Sequence, residues 1–262
     1  MPEVINDILG YDGLKIIQDK DKFNFSLDST LLANFVDIKK GDVKILDIGT
    51  GNGFIPLFLS LKTKSQIIGI DIQPELVVLA KRSVELNNLI SQIHIYNEDA
   101  KEYYKKVGVS SFDVIVSNPP YFPYIESSRT NRTDFLTIAR HEVNLTIDEL
   151  VDSVKKLLKD NGTFYLVHRT ERLIDIIEAL RKNNFELKTL QFVFSKKSST
   201  ESQLVLIKCK KTKRKGGLKI LQPLYVHKEN GEYTDEVLRI FRFRGEEWKD
   251  KQVSKMILQN YI

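Results

Sequence analysis

An apolar run ending in Ile115-Val-Ser117 leads straight into Asn118-Pro119-Pro120-Tyr121. Two consecutive prolines donate no backbone hydrogen bond and push their predecessors out of the helical region, so a strand must end there in a rigid extended corner. Such a corner presents the Asn118 amide and the Pro119 carbonyl as neighbouring acceptors, with an aromatic ring just beyond. Two acceptors can hold a planar exocyclic amine, and an aromatic can stack on the ring that carries it. The competing reading is a proline-terminated strand with a packed tyrosine. The corner alone does not choose between them.

A second motif lies upstream. Lys44-Ile-Leu-Asp47-Ile-Gly49-Thr-Gly51-Asn-Gly53 is a short apolar strand followed by a glycine-rich turn. Glycines after a strand let backbone approach a ligand closely. The dinucleotide fingerprint asks for a small residue three positions after its second glycine. Phe54 stands there, so this turn is not that fingerprint. Further on, Gln66-Ile-Ile-Gly-Ile70 ends in Asp71, whose carboxylate suits the two hydroxyls of a ribose or caps a helix entered at Pro74-Glu75. Ile93-His-Ile-Tyr-Asn-Glu-Asp99-Ala100 repeats the pattern: Asp99 either accepts from an adenine amino group or caps Ala100 to Lys106. Three strands thus end in Asp47, Asp71 and Asp99, and a fourth in Asn118. Ligands of open parallel sheets bind at the carboxyl ends of the strands, so all four polar residues would line one crevice.

The elements that must position these groups alternate regularly. Apolar periodicity places strands at 43–48, 66–71, 92–96, 112–117, 162–168, 187–194 and 202–209. Helices fall at 28–37, 54–62, 74–89, 147–159 and 170–183, with a short one near 99–106. Strands alternating with helices argue for an α/β fold, a Rossmann-like, seven-stranded, mostly parallel doubly wound sheet. Asn161-Gly162 reads as a helix stop. Only Ser195 to Glu201 separates the last two strands, which predicts an antiparallel C-terminal hairpin. No repeat or long linker divides the chain. It reads as one domain over 1–262, with an N-terminal lid or extension at 1–42, a catalytic core at 43–210 and a basic extension at 211–262.

Composition excludes several classes. With 262 residues and 42% hydrophobic content the chain can bury a full core. The N-terminus, with Glu3 and Asp7, is not a secretory signal. No stretch approaches the roughly 18–20 apolar residues of a membrane span. One cysteine, Cys209, and four scattered histidines leave no ligand spacing for a metal. The cytoplasm is the expected location.

On these motifs the chain resembles the class I S-adenosylmethionine-dependent methyltransferases, and within them the amino-methylating branch marked by Asn-Pro-Pro-Tyr. The resemblance runs from about Phe23 to Lys210. It implies S-adenosyl-L-methionine as cofactor, its methionine part held by Asp47, Gly49, Gly51 and Gly53. Asp71 and Ile72 would take the ribose, and Asp99 with Ala100 would face the adenine. Asn118, Pro119, Pro120 and Tyr121 would hold the amine to be methylated, with Asn118 also bordering the cofactor.

Three regions outside that core bear on the substrate. Phe23-Asn-Phe25-Ser-Leu-Asp28-Ser29-Thr-Leu-Leu-Ala33 predicts an amphipathic helix with Asp28 or Ser29 as N-cap, serving either packing or a cofactor lid. Phe122 to Asn144 carries Arg129, Arg132, Arg140 and His141 beside the acceptor corner and reads as substrate-facing. Lys208 to Lys219 holds seven positive charges and no negative one: Lys208, Lys210, Lys211, Lys213, Arg214, Lys215 and Lys219. Such a run is either a solvated tail or a phosphate-binding patch, and the net +5 charge agrees with the latter. Arg239, Phe241, Arg242, Phe243, Arg244 and Trp248 interleave bases and aromatics, fitting either RNA or a buried terminal helix.

Phe-x-Phe, Asp28-Ser-Thr-Leu-Leu-Ala, Asn118-Pro-Pro-Tyr-Phe, Ala139-Arg140-His141-Glu142 and Tyr233-Thr234-x-Glu236 together resemble a bacterial family that methylates N6 of the adenine next to the anticodon of a valine tRNA. That resemblance implies tRNA as partner. Two alternatives share the corner: ribosomal RNA adenine methylation, and glutamine methylation of release factors. Members of the latter family carry a sizeable helical domain ahead of the core, whereas the residues before Lys44 read here as mostly loop.

Overall fold

The computed structural model describes residues 3–8, 11–19, 27–39, 44–121 and 145–241. Among them a mixed nine-stranded sheet carries helices on both faces. Its parallel half is built from β3 (Lys44–Ile48), β4 (Gln66–Asp71), β5 (Ile93–Asn97) and β6 (Phe112–Ser117). These read as nearly continuous apolar runs because both faces are covered. β7 (Leu158–Arg169) joins β6 in parallel, and β9 (Leu204–Lys211) inserts antiparallel between β7 and β8 (Phe185–Lys196). The seven expected strands and the closing antiparallel pair are therefore present.

Two short strands are added to the far edge: β10 (Lys219–Ile220) and β11 (Leu224–His227), both parallel to β8. A separate antiparallel hairpin, β1 (Glu3–Ile8) with β2 (Tyr11–Asp19), replaces the loop expected ahead of the core. It docks on α3 (Pro74–Leu86): Ile17 N donates to Ser83 Oγ at 2.9 Å, and Lys15 exchanges backbone bonds with the Asn87 side chain. Ile17 packs there with Leu76 and Leu79.

One apolar layer gathers α1 (Leu27–Phe35), α2 (Phe54–Ser60) and α3 with Val237, Ile240 and Phe241 of α7 (Asp235–Phe241). The opposite layer holds the short α4 (Tyr104–Val107), α5 (Ile147–Leu157) and α6 (Leu173–Lys182). α5 opens with a capping box, Thr146 Oγ1 accepting from Glu149 N while Glu149 Oε2 accepts from Thr146 N. Asn161-Gly162 is not the helix stop expected. α5 ends at Leu157, and Asn161, at φ 63°, sits inside β7 where its register against β6 shifts. β5 likewise ends at Asn97, two residues before Asp99.

The sheet order is β10-β8-β9-β7-β6-β3-β4-β5. From β3 the chain winds outward to β4 and β5, then returns to lay β6 on the other side of β3. That reversal opens a crevice at the carboxyl ends of β3 and β6.

Candidate active site

In register, Ile48 of β3 lies opposite Ser117 of β6, and Ser117 Oγ donates to Ile48 O at 2.9 Å. The next residues of the two strands are Gly49 and Asn118. The glycine turn and the acceptor corner therefore emerge side by side at the switch point.

Gly49, Gly51 and Gly53 all take positive φ, 73°, 56° and 86°. Side chains are strained in that region. The turn is tied down by Gly49 N and Thr50 N, both donating to Ile70 O at 2.9 Å. A Cβ at Gly49 or Gly51 would meet nothing within 4 Å, so the backbone there faces open space. At Gly53 it would lie 3.1 Å from Ala80 Cβ, so this glycine admits α3. Gly51→Val is thus expected to combine a strained φ with atoms placed in the open space beside the turn. Calorimetry with S-adenosylhomocysteine should show affinity lost by at least about tenfold, equivalent to roughly 1.4 kcal/mol. Unchanged affinity would remove the turn from the cofactor site.

Asp71 Oδ2 accepts from Gly51 N at 2.8 Å, and its Oδ1 from Gln73 N at 2.9 Å. The carboxylate thus braces the glycine turn and also makes the helix-entry bond of the capping reading. Burial raises its pKa against the pull of the Gln73, Gly51 and Ile72 N–H groups. Ile72 follows it with 44% of its surface exposed, an apolar platform at the mouth of the crevice.

Asp47 is fully buried, and neither carboxylate oxygen has a hydrogen bond of ordinary geometry. Burial pushes its pKa up to about 7, opposed by the nearby Thr50 hydroxyl and assisted by the Asp71 charge. Thr50 Oγ1 and Asn52 Nδ2 are buried and unpaired in the same way. Each such atom costs about 1–3 kcal/mol. Two acceptor atoms, a hydroxyl and an amide donor, all in one six-residue stretch, suit an amino-acid group bearing both an ammonium and a carboxylate.

Asp99 Oδ1 accepts from Lys101 N at 2.9 Å, and its carbonyl accepts from Glu102 N and Tyr103 N. It caps the turn, as its second reading held. Ala100 is buried beside it. Asn97, absent from the expected set, donates from Nδ2 to Asp71 O and ties the end of β5 to that of β4.

At the acceptor corner the structure departs from the open geometry expected. Asn118 Oδ1 lies 2.8 Å from the Tyr121 hydroxyl, and Asn118 Nδ2 donates to Ser29 Oγ at 2.9 Å. The same hydroxyl lies 2.6 Å from Asp28 Oδ2. Asp28 and Ser29 sit inside the first turn of α1, which begins at Leu27, so neither is its N-cap. The Tyr121 ring is not a free platform. Its edge meets His168 at 5.2 Å, and the Arg169 guanidinium lies 5.5 Å from its centroid. His168 is buried, its pKa lowered to about 4 by desolvation, so the ring is neutral. Pro119 is buried and Pro120 half-buried behind the corner. Asp28, Ser29 and Asn118 each stand out in the sequence on separate grounds. Nothing in the chain announced that they meet.

The basic run divides. Lys208, Lys210 and Lys211 belong to β9 rather than to a tail. Lys211 Nζ donates to Leu158 O at 2.7 Å and pairs with Asp160 at 3.5 Å, and Lys208 Nζ reaches Asp37 at 3.3 Å. Lys213, Arg214 and Lys215 are exposed on a loop pinned to β8, where Glu186 Oε1 accepts from Gly216 N and Lys188 Nζ donates to Gly216 O. Phe23, Phe25, Arg129, Arg132, Arg140, His141, Arg242, Phe243, Arg244 and Trp248 lie outside the described residues. Among the described residues no three metal-ligating side chains cluster, and no helix is long and apolar enough to cross a membrane.

Comparison with known proteins agrees with this geometry. The methyltransferase domain family matches residues 39–245, from just before β3 to just beyond α7. The chain belongs to that family. The match takes in the glycine turn, Asp71 and the Asn118 corner, and the methyltransferase family implies use of S-adenosylmethionine. Proteins named tRNA1(Val) (adenine(37)-N6)-methyltransferase are similar to it. The one from Proteus mirabilis is 32% identical over 58% of this chain and 59% of its own length, and that from Yersinia enterocolitica 29% over the same shares. Against these relatives the match therefore spans about three fifths of their length. A third, from Yersinia pestis, is 25% identical over 86% of this chain and 88% of its own.

Among solved structures, a predicted O-methyltransferase from Agrobacterium tumefaciens superposes with TM-score 0.66 over 85% of this chain and 99% of its own, at 17% identity. TYW2 of Pyrococcus horikoshii, solved with MeSAdo, gives 0.56 over 79% and 70% at 15% identity. Both likenesses concern the methyltransferase fold.

Proposed function

We propose that this methyltransferase acts on the exocyclic N6 amine of an adenine in tRNA, and that the adenine neighbours the anticodon of a valine tRNA. The observation that carries the reading is the Ser117-Asn118-Pro119-Pro120-Tyr121 corner leaving β6 beside the glycine turn. The names of the relatives support the RNA assignment.

Asp47, Gly49, Gly51, Gly53, Asp71, Ile72, Asp99 and Ala100 would hold S-adenosylmethionine, which supplies an electrophilic methyl on a sulfonium. The unpaired atoms of Asp47, Thr50 and Asn52 and the open side of the turn fit its amino-acid end. The Asn118 side-chain oxygen and the Pro119 carbonyl accept the two amine hydrogens. That orients the nitrogen and draws on its delocalised lone pair without a dedicated strong base. Lys213, Arg214 and Lys215 contribute phosphate attraction, and Arg129, Arg132 and Arg140 join them in this reading. Lys210 and Lys211 are retained as RNA contacts only through whatever surface β9 leaves them. The chain works as one catalytic domain with its N- and C-terminal extensions.

The test is methyl transfer from labelled S-adenosylmethionine to total tRNA, ribosomal RNA and release factor taken from a strain lacking the protein. Label should enter tRNA as N6-methyladenosine. Label confined to ribosomal RNA, or to a release-factor glutamine, would overturn the tRNA reading.

A further inference from the structure

The Tyr121 hydroxyl carries one proton and, among the described residues, lies near two oxygens, Asp28 Oδ2 at 2.6 Å and Asn118 Oδ1 at 2.8 Å. A phenol donates once, and an amide oxygen brings no proton of its own. Both contacts are hydrogen bonds together only if Asp28 carries a proton, gives it to the phenol oxygen and so frees the phenol proton for Asn118. On its other side the amide donates from Nδ2 to Ser29 Oγ. Two neighbouring residues of α1 thus grip a side chain 89 residues downstream, one directly and one through Tyr121.

Building on the amine-methylation reading above, we propose that Asp28 is a positioning residue for methyl transfer. Acting through Tyr121, it fixes which way the Asn118 amide faces. The two ends of an amide have nearly the same shape, so directional partners alone distinguish them. A turned amide would offer the substrate amine a donor where an acceptor is required. Desolvation raises the Asp28 pKa, opposed by the Tyr121 hydroxyl and the Arg169 charge. The other ring beside Tyr121, His168, is neutral.

Asp28→Asn keeps a donor facing the phenol, as the protonated carboxyl does, whereas Asp28→Ala keeps none. Tyr121→Phe deletes only the hydroxyl and tests the same link should the alanine variant fail to fold. Asp28→Ala and Tyr121→Phe should each lower kcat by about tenfold to a hundredfold, as for other losses of orientation. Their combination should lower it no further, because they break one unit. Asp28→Asn should retain most turnover. The side-chain amide resonances of Asn118 in 15N-labelled protein, which need no substrate, should shift in Asp28→Ala and Tyr121→Phe and stay near wild type in Asp28→Asn. Coupled shifts in a protein that transfers no methyl to RNA would support the positioning role while refuting the RNA reading. Multiplying losses, wild-type kcat in Asp28→Ala, or an unmoved amide resonance would overturn the proposal.

Discussion

Asn118→Ala is expected to reduce single-turnover methylation by about a hundredfold or more, the loss typical of deleting one preorganised hydrogen bond to a reacting group. The adenine N6 nitrogen is a poor nucleophile because its lone pair is delocalised into the ring. On the proposed reading catalysis comes from holding its hydrogens, with Asn118 as one of the two acceptors. Affinity for S-adenosylhomocysteine should change little, since the glycine turn, the proposed cofactor contact, hangs from Ile70 and Asp71 rather than from Asn118. The substitution also frees the Ser29 and Tyr121 groups bonded to Asn118, so the melting temperature should fall modestly, by about 1 kcal/mol of stability per lost bond. Asn118→Asp keeps an acceptor that both hydroxyls can serve, yet adds charge beside a sulfonium, and partial activity is the expected result. Rapid-quench assays on unmodified RNA read this directly. Near-wild-type rates in the alanine variant would refute the mechanism.

Asp47→Asn is expected to pull stability and binding in opposite directions. The Asp47 carboxyl is pushed up by burial from an ordinary value of 3.8 to about 7. Between those limits the folded chain holds a proton that the unfolded chain has lost. Stability therefore falls as pH rises through that window, by at most about 4 kcal/mol at 1.36 kcal/mol per tenfold. A neutral amide escapes this cost. The ligand-free variant should melt higher than wild type at pH 8 and alike below about pH 4. It should also bind S-adenosylhomocysteine at least about tenfold more weakly, because a charge-assisted bond to the ligand ammonium is worth roughly 1.5–3 kcal/mol. Melting curves that coincide at every pH, or an unchanged dissociation constant, would remove Asp47 from this role.

The parallel strands were legible because burial on both faces leaves long apolar runs such as Ile67 to Ile70, bounded by polar ends. The polar residues at their ends, Asp71 and Asn118 among them, stand out against those runs. The β1–β2 hairpin escaped notice because one side of it stays wet: Glu3, Ile5 and Asp7 alternate outward. β10 and β11 are two and four residues long and owe their state to the edge of β8, not to their own propensity. Lys211 looked like part of a solvated run because sequence shows charge but not the Leu158 carbonyl it meets. The grip of Asp28 on Tyr121 joins positions 93 residues apart, and no local pattern encodes such a contact. Gly53 shows the same limit at shorter range: its place in the turn was readable, but its approach to Ala80 was not.

The seating of α7 in the same apolar layer as α1 ties together the chain's first helix and its last described one. Leu31 and Leu32 are covered by a layer that includes Val237, Ile240 and Phe241. During synthesis α1 emerges from the ribosome some two hundred residues before that partner exists. Until then the helix bonded to Asn118 through Ser29 has an unfinished apolar surface, and contacts of such long separation form late. The glycine turn and strands β3 to β6 need no such distant partner, so they can assemble while the packing of α1 against α7 still waits for residues 235–241.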